Sequence, residues 1–141
     1  MHLDELYKRV IMDHYKSPRN RGSFDDGAVT VELNNPTCGD RISLQLKLKD
    51  GVIEDARFDG EGCSISQASA SMMTVAVKGK TVDEALAIAD DFSALMTGKE
   101  PDFEYEDILA LSGVTKFPAR IKCATLAWNA LKKGVQDHAK H

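Results

Sequence analysis

The chain has 141 residues, 43% of them hydrophobic and 28% charged, with a formal net charge of −4. That composition belongs to one globular domain spanning residues 1–141 and excludes a disordered chain. The acidic balance argues against nucleic acid or an anionic membrane as partner, because phosphate recognition needs a basic patch. No apolar run approaches the roughly 20 residues needed to cross a bilayer. Met1-His2-Leu3-Asp4-Glu5 lacks the basic start and apolar run of a signal peptide, so the cytosol is the expected compartment.

In chain order, residues 2–16 place Leu3, Leu6, Tyr7, Val10, Ile11 and His14 at spacings of three and four, which predicts an amphipathic helix. Pro18 and Gly22 break it. Residues 28–33 read as a strand. From 42 to 49, Ile42, Leu44, Leu46 and Leu48 alternate with Ser43, Gln45, Lys47 and Lys49, the pattern of a strand with one buried face. Asp50-Gly51 is a hairpin turn, and Val52 to Asp59 returns as the partner strand.

The second half reads as helical. Ser64 to Val77 carries Ile65, Ala68, Met72 and Ala76 on one face, with many small residues that permit close packing, and Gly79 closes it. Thr81 and Glu84 form a capping-box pattern that opens a helix through Met96. Pro118 opens a last helix, expected to run to about Lys133 with Gly134 near its end. Between them lies an acidic stretch with Glu100, Asp102, Glu104, Glu106 and Asp107; its Phe103 and Tyr105 offer a docking point for a partner, or the stretch is a solvated loop. The expected class is α+β: a small three-stranded antiparallel sheet with helices packed against it.

The three cysteines are Cys38, Cys63 and Cys123. An odd number in a reducing compartment is no disulfide framework, so each is core, metal ligand or reactive thiol. Cys38 precedes the 42–49 strand, in a loop where Gly39 can take positive φ and turn Cys38 and Asp40 towards each other. Cys63 follows the 52–59 strand at a helix N-terminus, whose dipole and free N–H groups favour a thiolate. The hairpin therefore brings these two ends together; Cys123, in the first turns of the last helix, joins them only through tertiary packing. Three thiolates with Asp40 make a tetrahedral set suited to zinc, with Arg41, Arg120 and Lys122 near enough in sequence to offset its excess negative charge or to face a partner. Spacing by itself leaves open that the cysteines are simply buried separately.

Three motifs bear on that choice: Asn34-Asn35-Pro36-Thr37-Cys38-Gly39-Asp40, Gly60-Glu61-Gly62-Cys63-Ser64-Ile65-Ser66-Gln67-Ala68-Ser69, and Phe117 through Trp128 with Cys123 between them. In this order they closely resemble the SufU branch of the IscU/NifU-like proteins, over nearly the whole chain. The resemblance implies a small antiparallel sheet with helices, the three cysteines clustered at one exposed end, and a role in iron–sulfur cluster assembly. It implies that Cys38, Asp40, Cys63 and Cys123 are the metal ligands and that Cys38 accepts persulfide sulfur from a cysteine desulfurase, with cluster assembly proteins downstream. Three departures from the IscU branch point to SufU. Lys122 stands where IscU has a histidine before the third cysteine, the Leu-Pro-Pro-Val-Lys chaperone motif is absent, and 59 residues separate Cys63 from Cys123, the extra length falling around Gly98–Val114.

The implied activity is that of a zinc-dependent sulfur acceptor. A thiolate attacks the outer sulfur of a desulfurase persulfide, a step formally like thiol–disulfide exchange. A full ligand set leaves no open position, so Cys38 is expected to leave the metal for transfer, replaced by a ligand from the desulfurase. The alternative is a scaffold on which an iron–sulfur cluster is assembled and handed on. A zinc-stapled structural domain is a third reading. His2, His14, His138 and His141 lie far from every cysteine in sequence, which argues against a cysteine hydrolase.

Overall fold

A computed structural model of the protein describes residues 3–24, 28–35, 39–98, 108 and 111–139. The elements are α1 (Leu3–Lys16), β1 (Val29–Asn35), β2 (Asp40–Lys49), β3 (Val52–Glu61), α2 (Ser64–Val77), α3 (Val82–Met96), a 3-10 turn (Leu111–Lys116) and α4 (Pro118–Ala139). Pro36, Thr37 and Cys38 lie outside the described residues, as do Phe103, Tyr105 and the acidic group from Glu100 to Asp107.

The three strands form one antiparallel sheet in the order β1-β2-β3, as the alternation at 42–49 predicts. Ile42, Leu44 and Leu46 of β2, Ile53, Ala56 and Phe58 of β3, and Val31 of β1 make its buried face. Asp50 and Gly51 take φ of 54° and 77°, so the two-residue turn uses left-handed backbone at both positions, and Lys49 pairs with Val52 across it. The register slips once, between Lys47 and Leu48.

The helices cover that face. α4 packs on β1 and β2, α2 packs on β3 and α4, and α1 packs on α2. In α1, Val10, Ile11 and His14 of the predicted stripe are buried; the side chains of Leu3, Leu6 and Tyr7 lie outside the description. α2 is buried on nearly every side rather than on one face, with Ser66, Ser69, Ser71, Met73 and Thr74 as enclosed as Ala68 and Met72. Its small side chains let α1, α4 and β3 close around it, and their hydroxyls find partners: Ser71 Oγ lies 2.8 Å from His14 Nδ1 and accepts from the Arg19 amide at 2.8 Å. The Thr81–Glu84 capping box opens α3 as predicted.

The strands extend two residues further than expected at the site end, β1 to Asn35, β2 from Asp40 and β3 to Glu61, and the last helix also runs on. α4 does not stop near Lys133 but continues to Ala139, with Gly134 inside it. A Cβ on Gly134 would come within 3.1 Å of Val31 Cγ2 and 3.2 Å of Leu46 Cδ1. This glycine is therefore a point of close helix–sheet approach, not a stop signal. Trp128, stacked on Phe92 at 4.6 Å between ring centroids, fills the space between α3 and α4; complete burial of one large apolar side chain contributes about 1.5–3 kcal/mol.

Candidate metal centre

The hairpin places the first two groups. Asn35 at the end of β1 pairs with Asp40 at the start of β2, and Arg41 pairs with Glu61 at the end of β3. Gly39 takes a φ of 71°, the left-handed turn its motif requires. These pairings bring Asp40, only 1% exposed, beside the Gly62-Cys63 junction. The Cys63 amide donates to Asp40 Oδ1 at 2.9 Å, and Asp40 Oδ2 stands 4.0 Å from Cys63 Sγ. Contact is so close at Gly62 that a Cβ there would run into the Asp40 carboxylate.

Cys63 is the N-cap of α2. Its backbone is extended, and its Sγ accepts from the Ser66 amide at 3.5 Å. A sulfur in this position lies at the positive end of the helix. Cys63 is half-buried, whereas Cys123 and Asp40 are buried. The expectation of a centre wholly at an exposed end is corrected in this respect: α4 must lie on the sheet to reach the site, and that packing encloses Cys123.

Cys123 arrives through the lock between α2 and α4. The Ser69 hydroxyl donates to the Ala124 carbonyl at 2.6 Å and accepts from Trp128 Nε1 at 3.0 Å. Ala124 follows Cys123 directly, so this buried pair fixes the sulfur against the start of α2. Asp40, Cys63 and Cys123 each then offer one ligand atom, all within 4.8 Å of one another.

Two soft thiol donors and one carboxylate fit zinc. Tetrahedral zinc with sulfur and oxygen ligands holds its ligand atoms about 3.5–3.8 Å apart, near the 4.0 Å between Asp40 Oδ2 and Cys63 Sγ. Cys38, the fourth predicted ligand, lies outside the described residues. Of the predicted charge-balancing residues, Arg41 is exposed and pairs with Glu61 at 3.5 Å on the rim. Arg120 and Lys122 are exposed on the first turns of α4, and Lys122 lines a cleft with Asn34, Asn35 and Leu126. His14 is buried against Ser71, outside the donor group.

A further side chain, Asn35 of the first motif, reaches the centre from β1. Asn35 is buried, and its Nδ2 points to Cys123 Sγ at 4.0 Å. No local pattern signals it, because 88 positions separate the two residues.

The NifU-like N-terminal domain family model matches residues 6–141. The chain belongs to this family. It is 62% identical over 135 residues to the zinc-dependent sulfurtransferase SufU of Bacillus subtilis, covering 94% of this chain and 91% of that protein. It is 52% identical over 139 residues to the iron–sulfur cluster assembly scaffold protein IscU of Streptococcus pyogenes, covering 97% and 87%. A solved structure from Fervidobacterium islandicum AW-1, assigned provisionally as an iron–sulfur cluster assembly scaffold for the SUF system, superposes with a TM-score of 0.87 at 33% identity, covering 93% of this chain and 97% of that one. The α+β fold and the SufU-like motifs expected from the sequence thus agree with these relatives. Among the described residues no helix is long and apolar enough to cross a membrane.

Proposed function

We propose that this protein is a zinc-dependent sulfur acceptor of iron–sulfur cluster assembly that takes persulfide sulfur from a cysteine desulfurase and passes it to downstream assembly proteins in the cytosol. The observation that carries this is the convergence of Asp40, Cys63 and Cys123, from three separate elements, within 4.8 Å. The 62% identity to a zinc-dependent sulfurtransferase supports it.

Asp40, Cys63, Cys123 and Cys38 would hold the metal. Cys38 stands two residues before Asp40, a tether of at most about 7 Å. Bound zinc keeps the thiolates deprotonated at neutral pH and holds them as one unit. Asp40 and Cys63 are pinned by the amide hydrogen bond between them, and Cys123 by the Ser69–Ala124 lock. The transfer step belongs to Cys38, as the resemblance to SufU implies, once it leaves the metal. Its thiolate attacks the outer sulfur of the desulfurase persulfide. A new S–S bond forms on Cys38, the donor's S–S bond breaks, and the desulfurase cysteine departs as a thiolate.

Metal analysis paired with a desulfurase stimulation assay tests the reading. The expected result is a colourless protein with one zinc that accelerates the desulfurase and acquires sulfur on Cys38. Undiminished sulfur uptake by Cys38→Ala would remove Cys38 from this role. The second reading, a scaffold carrying a transient iron–sulfur cluster, is favoured by the IscU relative and by the oxygen donor of Asp40, which makes a cluster labile. A brown protein containing iron and sulfide after anaerobic purification supports that reading instead.

A further inference from the structure

β1 turns Val31, Leu33 and Asn35 towards the helices, and the first two join the apolar core. Asn35 continues this inward series with a polar amide, only 7% exposed, where the pattern calls for another apolar side chain. It faces Asp40 across the β1–β2 ladder, and cross-strand partners project from the same side of a sheet. Asp40 belongs to the donor group, so the ladder delivers Asn35 to the same centre. A buried amide needs partners, and Nδ2 of this one meets Cys123 Sγ at 4.0 Å. A residue that breaks the apolar pattern of its strand at such a place marks a functional position.

The two described sulfurs reach the centre with different supports. Cys63 is an N-cap, and the Ser66 amide, one of the first-turn N–H groups without a helical partner, points at its sulfur at 3.5 Å. Cys123 lies beyond the first turn of α4, where backbone amides are engaged in i→i−4 bonds. Asn35 supplies its sulfur with a donor from another element. A metal-bound thiolate has no proton to give, so the amide turns its NH₂ and not its oxygen to the sulfur. The contact is long because sulfur is a weak acceptor, and the charge of a thiolate strengthens it.

We propose that Asn35 is a positioning residue of the zinc centre that donates to the Cys123 thiolate, fixes the orientation of that sulfur and draws electron density from it, an inference that rests on the sulfur-acceptor reading above. In that reading three thiolates surround one ion, and each is a competitor for the outer sulfur of the donor persulfide. Hydrogen bonds to ligand sulfurs tune a metal site from outside the ligand set. A sulfur with less electron density to share is a poorer nucleophile. Asn35 thereby keeps Cys123 a ligand while sulfur is delivered to Cys38.

Two variants separate the hydrogen bond from space filling. Asn35→Leu keeps the branched shape without the donor and suits a position that follows Val31 and Leu33, whereas Asn35→Ala removes donor and volume together. In the cobalt-substituted protein, loss of the bond raises the energy of the sulfur donor orbital. The sulfur-to-cobalt charge-transfer band is therefore expected at longer wavelength in both variants. In the zinc-loaded protein, iodoacetamide is expected to alkylate Cys123 about fivefold faster in both, read from peptide masses with Cys63 as internal reference. A band at the wild-type wavelength overturns the proposal. So does faster alkylation in Asn35→Ala with the wild-type rate in Asn35→Leu, the result if the residue only fills space. Should Asn35→Leu not fold, the band of Asn35→Ala decides. A zinc-loaded wild type that takes up no sulfur from a purified cysteine desulfurase refutes the sulfur-acceptor reading itself, whereas the band reports on Asn35 whatever the uptake.

Discussion

The Cys63 backbone amide donates to one oxygen of Asp40 at 2.9 Å, while the other oxygen stands 4.0 Å from the Cys63 sulfur. One proposed ligand thus orients another through the main chain, and only a single carboxylate oxygen remains for a metal. Asp40→Asn keeps an acceptor for the amide but removes the charge and the stronger donor. Its zinc affinity is expected to fall by roughly 10–100-fold, the scale seen when a supporting group of a metal site is lost. Competition with a chromophoric chelator measures it; an unchanged affinity would remove Asp40 from the ligand set.

Gly62→Ala meets two obstacles together. The φ of 144° is poor for a residue with a side chain, and the added methyl collides with Asp40. A cost of about 1–3 kcal/mol is expected from the backbone conformation, with displacement of Asp40 and loss of zinc stoichiometry. Urea denaturation and metal analysis on the same preparation report both effects.

Ser69→Ala removes the hydroxyl shared by Ala124 and Trp128, leaving the Trp128 N–H buried without an acceptor. Destabilisation of about 1–3 kcal/mol follows from an unpaired buried donor. Cys123 neighbours Ala124, so zinc affinity should fall as well, although Ser69 touches no ligand atom. A variant that loses stability with unaltered zinc affinity would show that the lock serves the core only.

Asp55 supplies a pH dependence. Burial pushes its carboxyl up, but the Lys78 ion pair, the Ala56 amide and the charge of Arg57 together outweigh this and hold it below the ordinary value of 3.8. A carboxylate lowered in the folded state contributes stability that is fully present above its unfolded pKa and is lost as pH falls through the folded one. Asp55→Asn should therefore be less stable than wild type at pH 7 and equal to it well below pH 3.8. Denaturation midpoints across that range decide it, with parallel curves counting against the ion pair.

Zinc removal should leave the protein folded. The buried cluster on the sheet, from Ile42 and Phe58 through Met73 and Trp128, packs without help from the centre. Chelation is expected to lower the melting temperature while preserving the far-ultraviolet circular dichroism. Complete unfolding would instead mark the zinc-stapled structural domain.

Much of the architecture was legible because its signals are local. Alternation at 42–49, the Asp50-Gly51 turn and the Thr81–Glu84 box each act within a few residues, and each appears where expected. An antiparallel hairpin joins its own outer ends, so the ends carrying Cys38 and Cys63 are expected to meet; Asp40 and Cys63 do meet there, and Cys38 lies outside the described residues. Gly134 misled for a physical reason: a glycine that ends a helix and one that lets a helix touch a sheet look the same in one dimension, and only Val31 and Leu46 reveal which it is.

From the amino-acid order come the strands, the helices and their caps, and the approach of the two outer ends of the hairpin, because those depend on backbone preferences and hydrogen bonds between near neighbours. Cys123 at the site and Asn35 against its sulfur depend on how α2 and α4 settle on the sheet. That settling is decided by side-chain volumes summed over contacts between distant parts of the chain, which no short window contains.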